Sequence, residues 1–452
     1  MNGKVTFHGG AQEVSGACYL LETDSTRILV DCGLFQCPGY CARRNEEKFP
    51  FDVASLDAVI ITHGHMDHIG RVPKLVRNGF RGTVYSTSPT KDFAAIMLKD
   101  SLGILEKEAR DEHRTPIYSD EDIQKTIQLW KGKPYYEAFD IGTIRITLRN
   151  AGHILGSAIV EAVADGKKIV FTGDLGNSPA PLLDPPDKIS DAQYLVIESA
   201  YGDRVHEDAS ERKTKLERVI EDTIGRGGTL MIPAFSLERT QELLYELNEL
   251  VENNRIPRVP VFIDSPLAIK ATEIYRGYSK HFNKEAENLI ASGDDLFKFP
   301  GLQFTDQTEE SKAINNVTGP KVIIAGAGMM QGGRILHHAK RYLPDPKSTL
   351  LLVSFQAAGS IGRRIFDGAK EVTIHGERIP VRAGVKAIGG YSAHADSDGL
   401  FDFVSQTAGT LKRVFIVQGE PKAALYLAQR IRDNLGIDAI APKLGESFEL
   451  SQ

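Results

Sequence analysis

The sequence predicts an α/β fold in which a strand-rich domain built of face-to-face sheets is interrupted by an inserted α/β module. Three observations carry this. Up to about residue 200, short β-branched runs alternate with glycine-rich turns; from about residue 205, strands and helices alternate strictly; after about residue 380 the strand-rich style returns. In order, the first stretch holds KVTFHG, CYLLET, RILVDCG, AVIITHG, GTVYST, IRITLRNAG, SAIVEAVADGKKIVFTGD and AQYLVIES. Two helical stretches interrupt them: DHIGRVPKLVRNG directly after AVIITHG, and TKDFAAIMLKDSLGILEKEARDE, whose apolar residues recur at three- and four-residue spacing until HRTP breaks the pattern. The module then opens with the charged helix ASERKTKLERVIEDTIGRG, the strand GTLMIPAFS and the helix ERTQELLYELNELVENN, followed by VPVFIDSP and another helix. KVIIAGAGMMQGGRILHHAKRYL and STLLLVSFQAAGSIGRRIFDGA each repeat strand, glycine-rich turn and helix. GVKAIGGYSAH and RVFIVQGE close the interrupted domain. The boundaries implied are 1–204, 205–380 and 381–452, the first and last segments forming one discontinuous domain.

Composition narrows the function classes. With 452 residues, 41% of them hydrophobic, the chain can bury large cores, so disorder and fibres are excluded. No run approaches the ~20 apolar residues of a membrane helix, and the N-terminus enters strand-like alternation at once, so the expectation is a cytoplasmic protein with no membrane partner. The formal net charge of −6 means that any polyanionic substrate is held by a local basic patch or by metal ions. All four cysteines, Cys18, Cys32, Cys37 and Cys41, lie near the N-terminus, where reduced thiols are the expectation; Cys32, Cys37 and Cys41 are close enough for a metal knuckle but lack a fourth ligand at the right spacing.

The strongest chemical signal is His63-Gly64-His65-Met66-Asp67-His68, placed between the apolar run AVIIT and a helix. Imidazole nitrogen and carboxylate oxygen suit a borderline ion such as zinc. A strand-to-helix turn lets His63 and His65 point one way and Asp67 and His68 another, which fits two adjacent ions. His153 in NAGHILGSA and Asp174 in VFTGDLG end further strand-like runs beside glycines and are candidate ligands in the company of that cluster. Asp31, at the end of RILVD, reads either as a buried acid that orients a metal histidine or as a turn former.

Asp31, HGHMDHIG, His153 and Asp174, in that order, resemble the first four motifs of the metallo-β-lactamase fold. ESAYGDR (198–204), PAFSLERTQELL (233–244), FIDSPLA (262–268), GMMQGGRILHHAK (328–340) and GGYSAHAD (389–396) resemble its β-CASP branch, the nucleases of RNA maturation and DNA repair. The resemblance covers nearly the whole chain. It implies a metallo-β-lactamase αββα sandwich with an inserted α/β β-CASP domain capping a cleft, and two zinc ions. His63, His65 and His153 would hold the first ion, Asp67 and His68 the second, and Asp174 would bridge them; Asp67, Glu198 and His394 would be the catalytic residues. It also implies a single-stranded RNA partner, and it is compatible with a homodimer. The chemistry agrees: two ions ~3.5–4 Å apart can activate a shared water toward hydroxide and neutralise a phosphodiester, while a protonated His394 held by Glu198 protonates the leaving oxygen.

One position departs from the family. After the strand VFIV, where relatives acting on RNA carry histidine and those acting on DNA valine, this chain has Gln418. An amide oxygen is a poorer zinc donor than imidazole, so Gln418 reads as a weak ligand or a hydrogen-bonding neighbour of a weakened second site. For substrate contacts, Arg334, His338, Ser354 and Gln356 stand beside glycine-rich turns, and Arg239, Arg334, Lys340, Arg341, Arg363 and Arg364 could form a phosphate track. The expected function is a zinc-dependent ribonuclease using a metal-bound hydroxide, cutting internally and also trimming 5′ to 3′. The competing readings are a small-molecule ester or thioester hydrolase on the same metal core and a weakly active RNA-binding scaffold. The long insertion and His394 argue against the first, and retention of the ligand set against the second.

Overall fold

The computed structural model describes residues 3–36, 41–357 and 359–450. The chain divides into two compact units. The first comprises Met1–Ser178, Asp184–Val205 and His394–Gln452; the second comprises Pro179–Leu183 and His206–Ala393.

In chain order the first unit supplies β1 (Gly3–Phe7), β2 (Tyr19–Thr23), β3 (Arg27–Val30), β4 (Ala58–Ile60), β5 (Thr83–Ser86), β6 (Trp130–Gly132), β7 (Phe139–Ile141), β8 (Ile144–Asn150), β9 (Ala158–Ala164), β10 (Lys167–Phe171) and β11 (Tyr194–Glu198). The second supplies β12 (Thr229–Pro233), β13 (Val261–Asp264), β14 (Leu302–Phe304), β15 (Lys321–Ala325), β16 (Thr349–Leu352), β17 (Glu371–Ile374), β18 (Glu377–Pro380) and β19 (Gly384–Ala387). The chain then returns to the first unit for β20 (Arg413–Val417), β21 (Asp438–Ile440) and β22 (Ser447–Glu449).

The first unit is a four-layer sandwich. One sheet runs β22-β1-β2-β3-β4-β5-β6 and the other β21-β20-β11-β10-β9-β8-β7. Strand alternation produces the layers. On β3, Ile28 and Val30 enter the core between the sheets while Leu29 faces the opposite way, and on β20, Phe415 and Val417 face inward while Val414 and Ile416 face outward. The outward faces pack under helices. Phe93, Ala94, Leu98 and Leu102 of the helix Ser88–Asp111 are buried, as are Ile123 and Thr126 of Asp120–Leu129, the latter helix opening with a capping box between Ser119 and Asp122. On the other side, Leu400 and Val404 of Ser397–Thr407 and Leu427 and Ile431 of Pro421–Leu435 join the core of the second sheet. Strands from the first and last stretches pair directly, β1 with β22, so the sheet closes only with residues distant in sequence. This is the αββα arrangement.

The second unit has a six-stranded parallel sheet in the order β14-β13-β15-β12-β16-β19, with β17 and β18 as a separate hairpin. Its strands β12, β13, β15 and β16 are buried throughout and read as apolar runs because both faces are covered. It extends past the 380 boundary read from the sequence because β19 still pairs with β16 in this sheet. Among the described residues, no helix is long and apolar enough to cross a membrane.

The cysteines behave differently from the expectation of reduced thiols throughout. Cys18 and Cys32 are free and buried, but Cys41 is disulfide-bonded, which removes a thiolate from the proposed knuckle; Cys37 lies outside the described residues.

Candidate metal centre

Most residues of the centre stand just past, or at, the end of a strand, where the ladder stops and side chains are free to converge. Asp31 follows β3, His63 and His65 follow β4, His153 follows β8, Asp174 follows β10, Glu198 ends β11 and Gln418 follows β20. His65 caps the four-residue helix Met66–Ile69, which carries Asp67 and His68.

Four donor atoms face one another. His63 Nε2 is 3.1 Å from His65 Nδ1, and His153 Nε2 is 3.3 Å from the same atom. Asp174 Oδ2 is 3.4 Å from His63 Nε2 and 3.6 Å from His153 Nε2. A tetrahedral ion with bonds near 2.0–2.1 Å has ligand-to-ligand edges of roughly 3.3–3.4 Å, so these four atoms have the spacing of a zinc cage. Their protonation agrees. Burial, with neighbouring imidazoles, pushes His65 and His153 well below the ordinary histidine range and His63 down as well, which favours the neutral form that ligates a metal. Burial opposes ionisation of Asp174, yet His68, His63 and His394 outweigh it and hold its carboxyl well below the usual range.

A second set of atoms is looser. His68 Nε2 lies 3.4 Å from Asp174 Oδ1 and 3.8 Å from Asp67 Oδ2, and Asp174 Oδ1 is buried without a hydrogen-bond partner. These three suit a second cation. At its remaining corner Gln418 Nε2 is 2.7 Å from His68 Nε2. Among the described residues, Asp67 and His68 belong to no group of three or more donors as tightly gathered as the four above.

Around the donors lies a supporting layer. Asp31, fully buried and held at φ 59°, accepts hydrogen bonds from the Thr62 backbone N–H (2.8 Å), the Thr62 hydroxyl (2.8 Å) and His68 Nδ1 (2.7 Å). These contacts suit an acid that orients His68. Glu198, also fully buried, accepts from the backbone N–H of Leu175 at 2.8 Å and from His394 Nδ1 at 3.1 Å. Burial raises the Glu198 carboxyl; burial works against protonation of His394, but the Glu198 and Asp174 carboxylates prevail and lift it to about 9. Asp174, Glu198 and His394 themselves form a second metal-capable group. Sequence reasoning missed Thr62, whose hydroxyl also lies 3.1 Å from His63 Nδ1, and Tyr19, whose hydroxyl donates to Gln418 Oε1 at 3.3 Å. The only signal for Thr62 was its place between a strand and the histidine cluster; for Tyr19 there was none.

The residues expected to touch substrate are differently engaged. In the second unit, Arg334 Nη1 donates to Asp264 Oδ1 at 2.8 Å and to the Thr305 carbonyl, and His338 Nε2 donates to Asp264 Oδ2 at 2.7 Å. Their donors are turned inward onto a fully buried carboxylate, because an ionised Asp264 there needs compensation. Gln356 Nε2 donates to the Gly328 and Ser354 carbonyls, whereas Gln356 Oε1 and Ser354 Oγ are buried without partners. Several residues of the expected phosphate track also have partners. Arg239 pairs with Glu242, Lys340 with Glu377 and Arg363 with Asp367, and Arg341 donates to the Asn315 carbonyl.

With this geometry, the chain belongs to the β-CASP branch of the metallo-β-lactamase superfamily. Residues 11–226 match the metallo-beta-lactamase superfamily model, 240–365 the Beta-Casp domain and 378–442 the Zn-dependent metallo-hydrolase RNA specificity domain. The chain is 38% identical to Ribonuclease TTHA0252 of Thermus thermophilus over 93% of its own length and 94% of that protein's. It is 34% identical to transcription termination factor FttA of Methanosarcina mazei over 97% of the chain and 70% of that protein, and 33% identical to an RNase J-like protein of Methanocaldococcus jannaschii over 97% and 98%. A crystal structure of a protein of unknown function from Enterococcus faecalis superposes with a TM-score of 0.58 at 13% identity, covering all of both chains, which supports the fold alone.

Proposed function

We propose that this protein is a zinc-dependent ribonuclease that hydrolyses phosphodiester bonds of single-stranded RNA, internally and with 5′-to-3′ trimming, leaving a 5′-phosphate. The observation that carries the reading is the four-cornered donor set of His63, His65, His153 and Asp174 beside the buried Glu198–His394 pair. Asp67, His68 and Asp174 Oδ1 offer a second, weaker position. Bound zinc supplies Lewis acidity, bringing the pKa of water toward ~7 and neutralising phosphodiester charge.

The chain's own groups have separate tasks. Asp31 holds the Nδ1–H of His68 and so fixes which ring nitrogen faces the centre. Glu198 holds the Nδ1 side of His394 and favours its protonated ring, which can give a proton to the departing 3′ oxygen. RNA as substrate is supported by the RNA specificity domain match and by the ribonuclease names among the relatives.

The test is cleavage of a labelled RNA and the matching DNA, run beside metal analysis, for the natural chain and His65→Ala. The variant is expected to lose cleavage and most bound zinc while its circular dichroism stays unchanged. Full activity in His65→Ala, or DNA cut as readily as RNA, would overturn the reading.

A further inference from the structure

Gln418 is tied at three points. Its backbone, in the left-handed region at φ 48°, donates N–H to the Gly10 carbonyl at 2.6 Å. Its Oε1 accepts from Tyr19, and its Nε2 meets His68 Nε2 at 2.7 Å. Only 3% of the residue is exposed, and a Cβ on Gly10 would stand 2.6 Å from the Tyr19 hydroxyl and 3.1 Å from Gln418 Cγ, so the side chain has been given a close-fitting slot.

The orientation of the His68 ring decides what the contact means. Nδ1 faces the Asp31 carboxylate at 2.7 Å, so Nε2 is the ring nitrogen turned toward the second position. The carboxamide nitrogen, 2.7 Å away, therefore stands where an ion bound through the lone pair of that nitrogen would have to sit. An imidazole nitrogen has one such pair. A cation at ~2.0–2.1 Å and an amide nitrogen at hydrogen-bond distance cannot share it.

From this we infer that Gln418 competes with the second metal ion for His68 and is not a ligand to it, so the centre rests with one tightly held ion and takes a second only by breaking the Gln418–His68 hydrogen bond. The inference rests on the zinc reading above and deepens it. It makes opposite predictions from a ligand role. Deleting a weak ligand loosens the second ion, whereas deleting a competitor tightens it.

The experiment is titration of the metal-free chain with zinc against a chromophoric chelator, and with cobalt(II) followed by its visible absorption. The natural chain is expected to bind one equivalent tightly and a second at least about a hundredfold more weakly. Gln418→Ala should strengthen the second equivalent by roughly tenfold or more, and Gln418→His by roughly 10–100-fold. Tyr19→Phe, which removes only the hydroxyl that holds Oε1, should move it the same way by a smaller factor, and serves if Gln418→Ala does not fold. Two equally tight equivalents in the natural chain, or a second affinity that falls or stays constant in both Gln418→Ala and Tyr19→Phe, overturns the inference while leaving the one-ion hydrolase intact. Failure to bind even the first equivalent overturns the zinc reading and this inference with it.

Discussion

Asp31 accepts three hydrogen bonds with none of its surface exposed, so its charge is committed to the loop that carries the donors. Replacing it with asparagine keeps the shape but removes the charge that holds the Nδ1–H of His68. Affinity for the second zinc equivalent, the one His68 would hold, is expected to fall by about 10–100-fold in chelator competition, with little change in the far-ultraviolet spectrum. Glu198→Gln and His394→Ala form a second, separate prediction. Each should slow single-turnover cleavage by a factor similar to the other's while zinc content measured by atomic emission stays unchanged, since one residue acts by holding the other. Loss of metal in either variant would recast both as ligands. At this scale the sequence was informative where chemistry is dense. Three imidazoles and a carboxylate in one strand-to-helix turn have few structural uses, and His153 and Asp174 follow strands in the same manner. It was uninformative where a side chain acts through one hydroxyl, as with Thr62 and Tyr19. For Arg334 and His338 it showed nothing of their buried partner, Asp264, which lies 70 and 74 positions earlier in the chain.

Elements position these residues through close backbone approach. Gly33, just past β3, lies where an added Cβ would fall 1.4 Å from the Asp67 carbonyl oxygen, and Cys32 N–H donates to the His68 carbonyl at 2.8 Å. The strand end and the short helix Met66–Ile69 are thus seated on each other. Gly33→Ala must displace the loop of Asp67 and His68, and is expected to lower zinc content and cleavage together, with weaker binding read by calorimetric titration. In the second unit, the end of β13 is fastened by Asp264. Burial alone would raise its carboxyl, but hydrogen bonds from His338, Ser311, Arg334 and Thr305 outweigh it and hold the group at about 2 against an ordinary 3.8. The folded value lies below the unfolded one, so the stabilisation is complete above 3.8 and disappears as pH falls through about 2. Asp264→Ala should cost about 3 kcal/mol at pH 7 by urea unfolding, and the gap from the natural chain should shrink as pH drops below 3.8. Strand and helix patterns made both units readable in sequence, because period-two alternation in the sandwich and continuous apolar runs in the parallel sheet are direct records of burial. The extent of the second unit was less readable, since β19, with exposed Lys386 and Ala387, lacks a buried strand's apolar signature and is recruited by pairing with β16.

On the scale of the molecule, two units with separate cores predict separable stabilities. All four atoms of the tight donor set belong to the first unit, so zinc should stabilise that unit alone, by about 2.7 kcal/mol when free zinc is a hundredfold above its dissociation constant. Differential scanning calorimetry with and without chelator is expected to resolve two transitions and to shift one of them; a uniform shift of a single transition would contradict it. The discontinuity of the first unit was visible as a change of sequence style, yet the partnership of β1 with β22 was not, because pairing across the whole chain leaves no local trace. That same discontinuity has a consequence for how the protein is born. A ribosome finishes His63, His65, His153 and Asp174 within the first 174 positions, but His394 and Gln418 emerge only after the whole second unit has been translated. A nascent chain can therefore carry all four donors of the tight set long before it owns His394, the proton donor proposed above.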